Sequence, residues 1–422
     1  MKTKIVFFLF LFSIFSFQFT LSQKEREVDL KNKVVQVQKY LKQNDIRAWF
    51  LYDFRGINPI AVDFLGLKGL KTRRWYYLIK AEGEPVALVH KIEEQGFKDV
   101  PGKIIPYVSW EEQREKLKEL LSGLKTVAME YSFQNNIPYI SRVDAGTIEL
   151  IRSLGVEVIS SADLVQYFEA RWDKKQYLSH KEAVRILLQI KDEAFKFIAQ
   201  RVREKKTTDE YEVAQFIQKR MNESGMETDE TLICAVNENS GNPHYTPSQT
   251  EKKKIGPGDF VLLDIWGKMK KEKSIYADIT WTGYVGEKVP EKYDKIFKIV
   301  KGARDEAVNY LRRRWAKGEE VRGWEVDKAC RDYIQKTGYG PNFTHRTGHS
   351  LGTEDHGNGV NIDNLETKDE REIIPGIGFS IEPGIYLKEF GVRIEINVFI
   401  KDKEIEVTTL SLQEEIIPIL KP

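Results

Sequence analysis

The chain has little of several features that would mark a specialised class of protein. Only two of its 422 residues are cysteine, which excludes a disulfide-rich scaffold and is too few for a thiolate metal site. We expect Cys234 and Cys330 to be buried free thiols. The formal net charge is +2, so the chain lacks the basic excess that is typical of nucleic-acid binding. We therefore expect neither nucleic acid nor an acidic membrane as a partner.

Long apolar runs are also scarce, with one exception near the N-terminus. Lys2 and Lys4 precede an apolar run from Ile5 to Leu21 that holds seven phenylalanines. A short basic start, an apolar stretch and small residues beside its end are typical of a secretory signal. We predict a signal peptide over residues 1–22, export to the periplasm or the medium, and no stable membrane insertion after cleavage. The alternative is an uncleaved anchor, for which this run is marginally short.

The rest of the chain is too long for one ordinary core, and its pattern changes near residue 175. We predict an α/β (α+β) fold in two domains, residues 23–175 and residues 176–422. Short β-branched and aromatic runs predict strands, and apolar periodicity predicts helices. The predicted strands are 48–52, 75–79, 86–90, 126–130 and 156–159; the predicted helices are 28–43, 110–122, 141–154, 161–170, 179–204, 208–224, 290–315 and 323–337.

Four carboxylates lie inside apolar, strand-like runs of the second half. A bare carboxylate in a buried strand is costly, and four that converge repel one another. Divalent cations would relieve both penalties, so this pattern predicts a metalloenzyme. The four runs are Phe-Val-Leu-Leu-Asp264-Ile-Trp, Ile-Tyr-Ala-Asp278-Ile-Thr-Trp, Phe-Ser-Ile-Glu382-Pro-Gly and Val-Arg-Ile-Glu395-Ile-Asn-Val.

Hairpin symmetry indicates how these carboxylates converge. Asp264 and Asp278 are equidistant from Lys271, so a hairpin that turns there would set them opposite each other. Glu382 and Glu395 are likewise symmetric about a Lys-Glu pair that precedes Phe-Gly. Two hairpins would then each supply one carboxylate pair, although a bulge would shift either pairing.

Histidine is scarce but is concentrated near the same residues. Three of the six histidines lie within twelve positions, at His345, His349 and His356. A helical zinc motif does not fit, because Arg346 stands where that motif needs glutamate. A di-iron helical bundle and a serine-triad elbow also lack their motifs. Oxygen ligands with one or two imidazoles suit manganese, cobalt, iron or zinc, and four carboxylates are enough for two ions.

These motifs resemble a known family. The order Asp, Asp, His, Glu, Glu, with Asp-Ile-Thr, His-x-x-Gly-His-x-x-Gly, Glu-Pro-Gly-Ile-Tyr and Gly-Val-Arg-Ile-Glu, resembles the pita-bread metallopeptidases. These include aminopeptidase P, prolidase, methionine aminopeptidase and the metal-free creatinase. The resemblance covers residues 178–420, and the preceding region resembles the creatinase-type N-terminal domain. It implies a pita-bread catalytic domain, a homodimer and two divalent ions, with manganese preferred and cobalt or zinc as alternatives.

The resemblance also implies roles for single residues. It implies that Glu382 is both a ligand and the proton shuttle. The two aspartates are more widely spaced here than is usual in the family, which we interpret as a longer hairpin tip. The five implied metal ligands are Asp264, Asp278, His349, Glu382 and Glu395.

Four further residues would surround the ligands. His356 would polarise the scissile carbonyl, and His345 would lie beside the metals on the substrate side. His244, in Asn-Pro-His-Tyr-Thr-Pro, matches the substrate-pocket histidine of the proline-specific branch. Arg393 would steady a ligand carboxylate.

The function that the resemblance implies is hydrolysis of the bond between an N-terminal residue and proline, as in an Xaa-Pro aminopeptidase. The substrates would be peptides with proline at the second position. Two alternatives remain: an Xaa-Pro dipeptidase (prolidase), and a non-catalytic interaction module of the same fold. The second usually loses ligands, and this chain retains a full set.

The N-terminal pattern gives a testable prediction about the mature protein. After expression in an export-competent host, the mature chain should begin near Gln23 and be recovered outside the cytoplasm, because a signal peptidase removes the apolar run. Terminal sequencing by mass spectrometry checks this. Recovery of an intact Met1 terminus from the membrane fraction would support the anchor instead.

Overall fold

The computed structural model describes residues 29–228, 231–409 and 411–421. The predicted signal peptide lies outside these residues. The chain divides after Glu169 into two compact units, slightly before the boundary predicted at residue 175. The difference arises because Trp172 belongs to the second unit, where its ring stacks on Phe399 at 5.1 Å between centroids.

The first unit is built on a six-stranded mixed sheet in the order β4-β3-β2-β1-β5-β6. Alternate residues of the central strands enter two different apolar clusters, with Trp49 and Leu51 in one and Phe50 and Tyr52 in the other. Both faces of the sheet are therefore covered, which explains why the sequences of these strands are nearly unbroken apolar runs. The strands are β1 Ala48–Asp53, β2 Trp75–Lys80, β3 Val86–His90, β4 Lys103–Tyr107, β5 Thr126–Met129 and β6 Glu157–Ser160.

The helices of this unit cover those two faces. Helix α1 occupies residues 29–43 of the described chain. The others are α2 Pro59–Leu65, α3 Trp110–Leu120, α4 Ala145–Ser153 and α5 Ala162–Val165. Sequence patterns missed α2 and β4. Helix α2 has only seven residues and begins after its cap, Asn58, so it is too short to show a clear period. Strand β4 contains Pro106 and lies at the sheet edge, where proline is tolerated.

The second unit places two antiparallel hairpins beside four helices. Strands β11 and β12 form the central hairpin, and β14 pairs with β17. The strands are β7 Thr208–Asp209, β8 Met226–Glu227, β9 Ile233–Val236, β10 Lys254–Ile255, β11 Phe260–Met269, β12 Ala277–Tyr284, β13 Ser350–Leu351, β14 Gly378–Ile381, β15 Gly384–Tyr386, β16 Gly391–Arg393, β17 Ile396–Ile400, β18 Ile405–Val407 and β19 Ile417–Pro418.

The helices of the second unit are α6 Lys174–Arg203, α7 Glu210–Glu223, α8 Glu291–Ala316 and α9 Gly323–Lys336. Helix α6 begins five residues earlier than predicted, because Asp173 and Gln176 form a reciprocal capping box in a stretch that reads as polar linker. Leu263 and Ile265 of β11 pack in the same apolar cluster as α6 and α7. Since side chains alternate along a strand, Asp264 points to the opposite face.

Several whole-chain expectations can be compared with the structure. The predicted α/β fold class is confirmed. Cys234 and Cys330 are buried free thiols, as predicted. Within the described ranges, every helix is too short or too polar to cross a bilayer.

One histidine that sequence reasoning left unassigned is fully buried in the second unit. His180 Nδ1 lies 2.7 Å from the carbonyl oxygen of Tyr276, and Nε2 lies 2.8 Å from Thr408 Oγ1. A carbonyl only accepts, so Nδ1 carries the hydrogen and Nε2 accepts from the hydroxyl. Burial lowers the pKa of His180 to about 4, so this imidazole is neutral in the folded chain at pH 7.

Buried His180 predicts a loss of stability in acid. Between the ordinary histidine pKa near 6.5 and about 4, the unfolded chain binds a proton that the folded chain refuses, so stability falls as pH falls. The contribution lost across that window is about 3 kcal/mol. Urea unfolding of wild type and His180→Gln from pH 7 to pH 4.5 should show the stability difference shrinking toward acid. Parallel pH curves would contradict this role.

Candidate metal centre

Asp264 and Asp278 lie on one face of the β11–β12 hairpin, but the prediction that they are direct cross-strand partners is wrong. Asp264 pairs with Thr280, and Asp278 pairs with Trp266, so the two aspartates are diagonal neighbours and not direct partners. The ladder is centred on Glu272, one position beyond the turn centre that symmetry suggested. Since the offset along one strand is two residues, both side chains still point to the same face.

The glutamate pair follows the predicted register. The β14–β17 and β15–β16 ladders set Ile381 opposite Ile396 and Gly384 opposite Arg393, which places Glu382 opposite Glu395. Sequence reasoning put both glutamates inside strands, whereas they lie in a gap between paired segments. Pro383 has no N–H for the ladder, which helps to explain the gap.

The backbone at this gap joins the glutamates to neighbouring elements. The N–H of Glu382 donates to the carbonyl of Thr347 at 2.7 Å, and the N–H of Glu395 donates to the carbonyl of Thr280 at 3.2 Å. The first bond fixes one glutamate beside the histidine-bearing segment. The second fixes the other beside the aspartate hairpin.

His349 is held between the two carboxylate pairs. Its N–H donates to Ser380 Oγ at 3.0 Å, and its carbonyl accepts from the N–H of Ser380 at 2.8 Å. Its Nδ1 lies 3.3 Å from the carbonyl of Ser350. Its Nε2 lies 3.5 Å from both Asp278 Oδ2 and Glu382 Oε1. With the hydrogen on Nδ1, the Nε2 lone pair faces the carboxylates, as a metal-binding imidazole requires.

The donor atoms fit a divalent cation. Among the described residues, Asp278, His349 and Glu395 each offer a ligand atom within 4.8 Å of the other two. Asp278 Oδ1 and Glu395 Oε1 are buried without a hydrogen-bond partner. Buried carboxylate oxygens need a partner, and a cation at this point would supply one to both.

The charges of the cluster also indicate that a cation is needed at this position. Burial raises the pKa of Asp278 well above its usual value, and the charge of Glu395 raises it further. Burial likewise raises the pKa of Glu395, with repulsion from Glu382 and Asp264 adding to it. Burial raises the pKa of Glu382 to about 7, although the Arg393 guanidinium opposes the shift. A positive charge at the centre is what would keep these groups ionised at neutral pH.

Arg393 and Thr280 link the carboxylates. Arg393 donates through Nη2 to Asp264 Oδ2 and through Nε to Thr280 Oγ1, the latter at 3.2 Å. Thr280 Oγ1 lies 3.0 Å from both Asp264 Oδ1 and Glu395 Oε2. Arg393 therefore lies against the carboxylate of Asp264, and the ligand role of Asp264 stays a prediction.

The three remaining histidines occupy different positions around the cluster. The His356 ring lies 4.3 Å from that of His349 between centroids, and His356 and Asp355 form a second potential ligand group with His349. His345 Nε2 lies 2.7 Å from the hydroxyl of Tyr386. His244 lies on an exposed loop.

The pKa values of His345 and His356 both lie below the ordinary histidine value, so both imidazoles are neutral at pH 7. Burial lowers the pKa of His345 to about 3, with a further contribution from the charge of Arg393. Burial lowers the pKa of His356 to about 4, and the charges of Arg346 and His244 add to the effect. A neutral imidazole still carries one N–H, so each can donate one hydrogen bond.

Sequence reasoning quoted but did not assign two site residues. Thr280 ends the Asp-Ile-Thr motif, and Tyr386 ends the Glu-Pro-Gly-Ile-Tyr motif. Asn397, which lies two residues after Glu395 in a quoted run, was also left unassigned, although Asn397 Oδ1 accepts from the N–H of Asp278 at 3.1 Å and its Nδ2 donates to the carbonyl of Asp278. The signal available for the first two was their position inside the ligand motifs. A buried asparagine in an apolar run was the only signal for the third.

The chain matches the model of metallopeptidase family M24 over residues 182–402. It belongs to that family. An uncharacterized peptidase of Staphylococcus epidermidis is 25% identical over 89% of this chain and 98% of that protein. The Xaa-Pro dipeptidase of Pyrococcus furiosus is 30% identical over 59% of this chain and 71% of that protein. The solved structure of an Xaa-Pro dipeptidase from Bacillus anthracis matches with a TM-score of 0.62 at 25% identity, over 92% of this chain and 99% of that one.

The resemblance to the pita-bread metallopeptidases is thereby confirmed, as is the prediction of a hydrolase that acts on peptides. Family membership makes divalent metal the expected cofactor. The identity of the metal, the homodimer, the site of export and the role of each site residue stay predictions.

The cluster predicts a measurable dependence on Asp278. Asp278→Asn should weaken Mn²⁺ binding by on the order of 10- to 100-fold or more, because even the partners of metal ligands contribute that much. Equilibrium dialysis followed by metal analysis measures it. Asp402→Asn, at an exposed turn of the same unit, is the matched control and should bind as wild type does. Equal binding by both variants would remove Asp278 from the ligand set.

Proposed function

We propose that this chain is a metal-dependent exopeptidase that cleaves the bond between an N-terminal residue and proline. The observation that carries the proposal is the arrangement of Asp278, His349 and Glu395, each of which offers a ligand atom within 4.8 Å of the other two. The Glu382 carboxylate lies 3.5 Å from Nε2 of His349. Relatives named as Xaa-Pro dipeptidases support the choice of substrate.

Five side chains would hold two divalent cations, with manganese as the first choice and cobalt or zinc as alternatives. When bound, the cations would supply a nucleophilic water at neutral pH and would polarise the scissile carbonyl. The ligands are Asp264, Asp278, His349, Glu382 and Glu395. Arg393 and Thr280 keep Asp264 and Glu395 in place through the contacts described above.

Glu382 moves the proton. Its Oε1 accepts from Ser380 Oγ at 3.2 Å, which orients the carboxylate toward His349. From that position it takes a proton from the attacking water and delivers it to the leaving nitrogen of proline. An amide at this position cannot do either step.

Neutral histidines donate to the substrate. His356 is half exposed beside His349, so its N–H can reach the carbonyl oxygen on which negative charge develops. His345 is oriented through Tyr386, whose hydroxyl also accepts from Arg393 Nη1 at 2.8 Å. Its place on the substrate side of the centre follows from the family resemblance.

His244 distinguishes proline from other residues in this proposal. A bond to proline nitrogen has no amide hydrogen, so the site needs a donor for the carbonyl and an apolar wall for the ring. His244 can supply a donor, and the neighbouring Tyr245 can supply part of the wall. His244 lies close enough to His356 to lower the pKa of His356, and this contribution is smaller than those of burial and of Arg346.

An Xaa-Pro dipeptidase is the second candidate. It is favoured by the similarity to the Xaa-Pro dipeptidases from Pyrococcus furiosus and Bacillus anthracis. The two candidates share the chemistry and differ in the length of peptide that the site accepts.

A panel of peptides tests both candidates. With Mn²⁺ present, Met-Pro peptides should be cleaved far faster than matched Met-Ala peptides. His244→Ala should lower kcat/KM for Met-Pro peptides by on the order of 10- to 100-fold, because a donor to the substrate is lost, while metal content stays unchanged. His90→Ala, in the first unit, is the histidine control.

Peptide length then separates the two activities. Cleavage of tripeptides and longer peptides supports the aminopeptidase, and cleavage of dipeptides alone supports the dipeptidase. Faster cleavage of Met-Ala than of Met-Pro peptides would overturn the proline assignment and would indicate a methionine-aminopeptidase-like specificity.

A further inference from the structure

A buried carboxylate outside the metal cluster accepts hydrogen bonds from the loop that carries His244. This loop, residues 237–253, connects β9 to β10, and Glu210 is the first residue of α7. The side chain of Glu210 is fully buried. We infer that Glu210 is a positioning residue that holds the loop so that His244 faces the substrate, an inference that rests on the proposed function.

Four donors from the loop and its borders converge on this one carboxylate. Glu210 Oε1 accepts from the N–H of Val236 at 2.7 Å and from Asn239 Nδ2 at 2.9 Å. Glu210 Oε2 accepts from the hydroxyl of Tyr245 and from the N–H of Lys253, both at 2.6 Å. These donors come from the start, the middle and the end of the loop. One side chain therefore fixes the whole loop at several points.

The backbone of Glu210 adds to this restraint. Its N–H donates to the carbonyl of Lys253 at 3.0 Å, so Lys253 is bonded to Glu210 through both its N–H and its carbonyl. The adjacent strand pair β7–β10 sets Asp209 opposite Lys254. Glu210 is thus bonded to the end of the loop through its backbone as well as through its side chain.

The opposite side of the loop contacts the β15–β16 hairpin. Ser240 Oγ accepts from the N–H of Gly391 at 2.9 Å. A side chain at Gly391 would collide with the carbonyl of Ser240, and one at Gly241 would collide with the carbonyl of Leu387. These close approaches need glycine. They hold the loop against β15 and β16.

One contact joins the loop to Arg393, the residue that donates to Asp264. Arg393 Nη1 lies 3.4 Å from the carbonyl of Pro243, the residue before His244, while Arg393 Nη2 binds Asp264. Glu210 and Arg393 therefore hold the loop from two sides. His244 lies between the two attachment points.

A carboxylate suits this position because it only accepts. All four partners of Glu210 are donors, and hydrogen bonds to an ionised acceptor are about twice as strong as neutral ones. Glutamine has nearly the same shape but would turn an amide N–H₂ toward two of those donors. The Glu210→Gln change therefore loosens the loop with little loss of volume.

A purely structural role and a positioning role predict different kinetics. If Glu210 acts through His244, then Glu210→Gln and His244→Ala should not be additive. If Glu210 only stabilises the fold, the two changes should act independently. A double-mutant cycle on kcat and KM of Mn²⁺-loaded full-length enzyme separates the two cases.

The expected result is a selective loss of activity. Glu210→Gln should lower kcat/KM for Met-Pro peptides by about tenfold, as for loss of charge-assisted hydrogen bonds, mostly through KM, with Mn²⁺ stoichiometry unchanged. In the His244→Ala background the same change should have little further effect. Tyr245→Phe, which removes one donor and keeps the ring, should show a smaller effect of the same kind and serves if Glu210→Gln fails to fold.

Glu238→Gln is the matched control. Glu238 lies on the same loop, but its half-exposed carboxylate pairs with the Lys253 side chain and does not contact the donors that Glu210 binds. It should leave Met-Pro kinetics unchanged. Independent effects of Glu210→Gln and His244→Ala, or wild-type kinetics in both Glu210→Gln and Tyr245→Phe, would overturn the inference.

The inference and the proposed function can fail separately. Preference of wild type for Met-Ala peptides would reject the proline assignment. The coupling of Glu210 to His244 would then be measured on the preferred peptide, where additivity would still overturn the positioning role and non-additivity would support it.

Discussion

The mutual repulsion of buried carboxylates is the constraint on which the catalytic unit depends. Asp264, Asp278, Glu382 and Glu395 converge from two hairpins. Burial raises the pKa values of Asp278 and Glu395, and repulsion between the carboxylates raises them further. Without a compensating charge, such a cluster would protonate or disperse. Arg393 supplies one positive charge, directed at Asp264. The remaining oxygens are arranged for cations, so the fold in this region and the chemistry have a common electrostatic cause.

The framework around the cluster is made mostly of backbone bonds. The N–H of Glu395 reaches across to β12, and the N–H of Glu382 reaches the segment before His349. These bonds tie the two hairpins and the histidine segment to one another through the backbone of Glu382 and Glu395. Thr280 and Asn397 satisfy polar groups at the junction of the hairpins. These bonds restrain the carboxylates and the imidazole close to one another, and restraint of this kind lowers the cost of binding a cation.

In the proposed function, selectivity for the substrate comes from the His244 loop beside the carboxylate cluster. The His244 loop is held by Glu210 on one side and by the β15–β16 hairpin with Arg393 on the other. Arg393 contacts both the loop and a ligand carboxylate. The His244 loop and the carboxylate cluster therefore share Arg393 as a support, so a change in the position of Arg393 would affect both.

Local pattern alone determined much of this protein. The runs around the four carboxylates, the central strands of the first unit and the long helices can be predicted because apolar periodicity and turn residues act over a few positions. The glutamate register followed from symmetry about a short turn. Motif order was enough to indicate the family. Helix α2 and strand β4 escaped prediction because one is very short and the other is an edge strand with proline.

Only the tertiary structure decided the contacts between distant segments. The hairpin tip after Met269 shifted the aspartate register, because the conformation of a longer turn depends on its surroundings. Glu210 meets Lys253, and His180 meets Thr408. Such pairings are far apart in sequence, and each is a buried polar group satisfied by a partner that no local period reveals. Hydrophobic pattern specifies which face is buried, and it does not specify which distant donor a buried carboxylate or imidazole will meet.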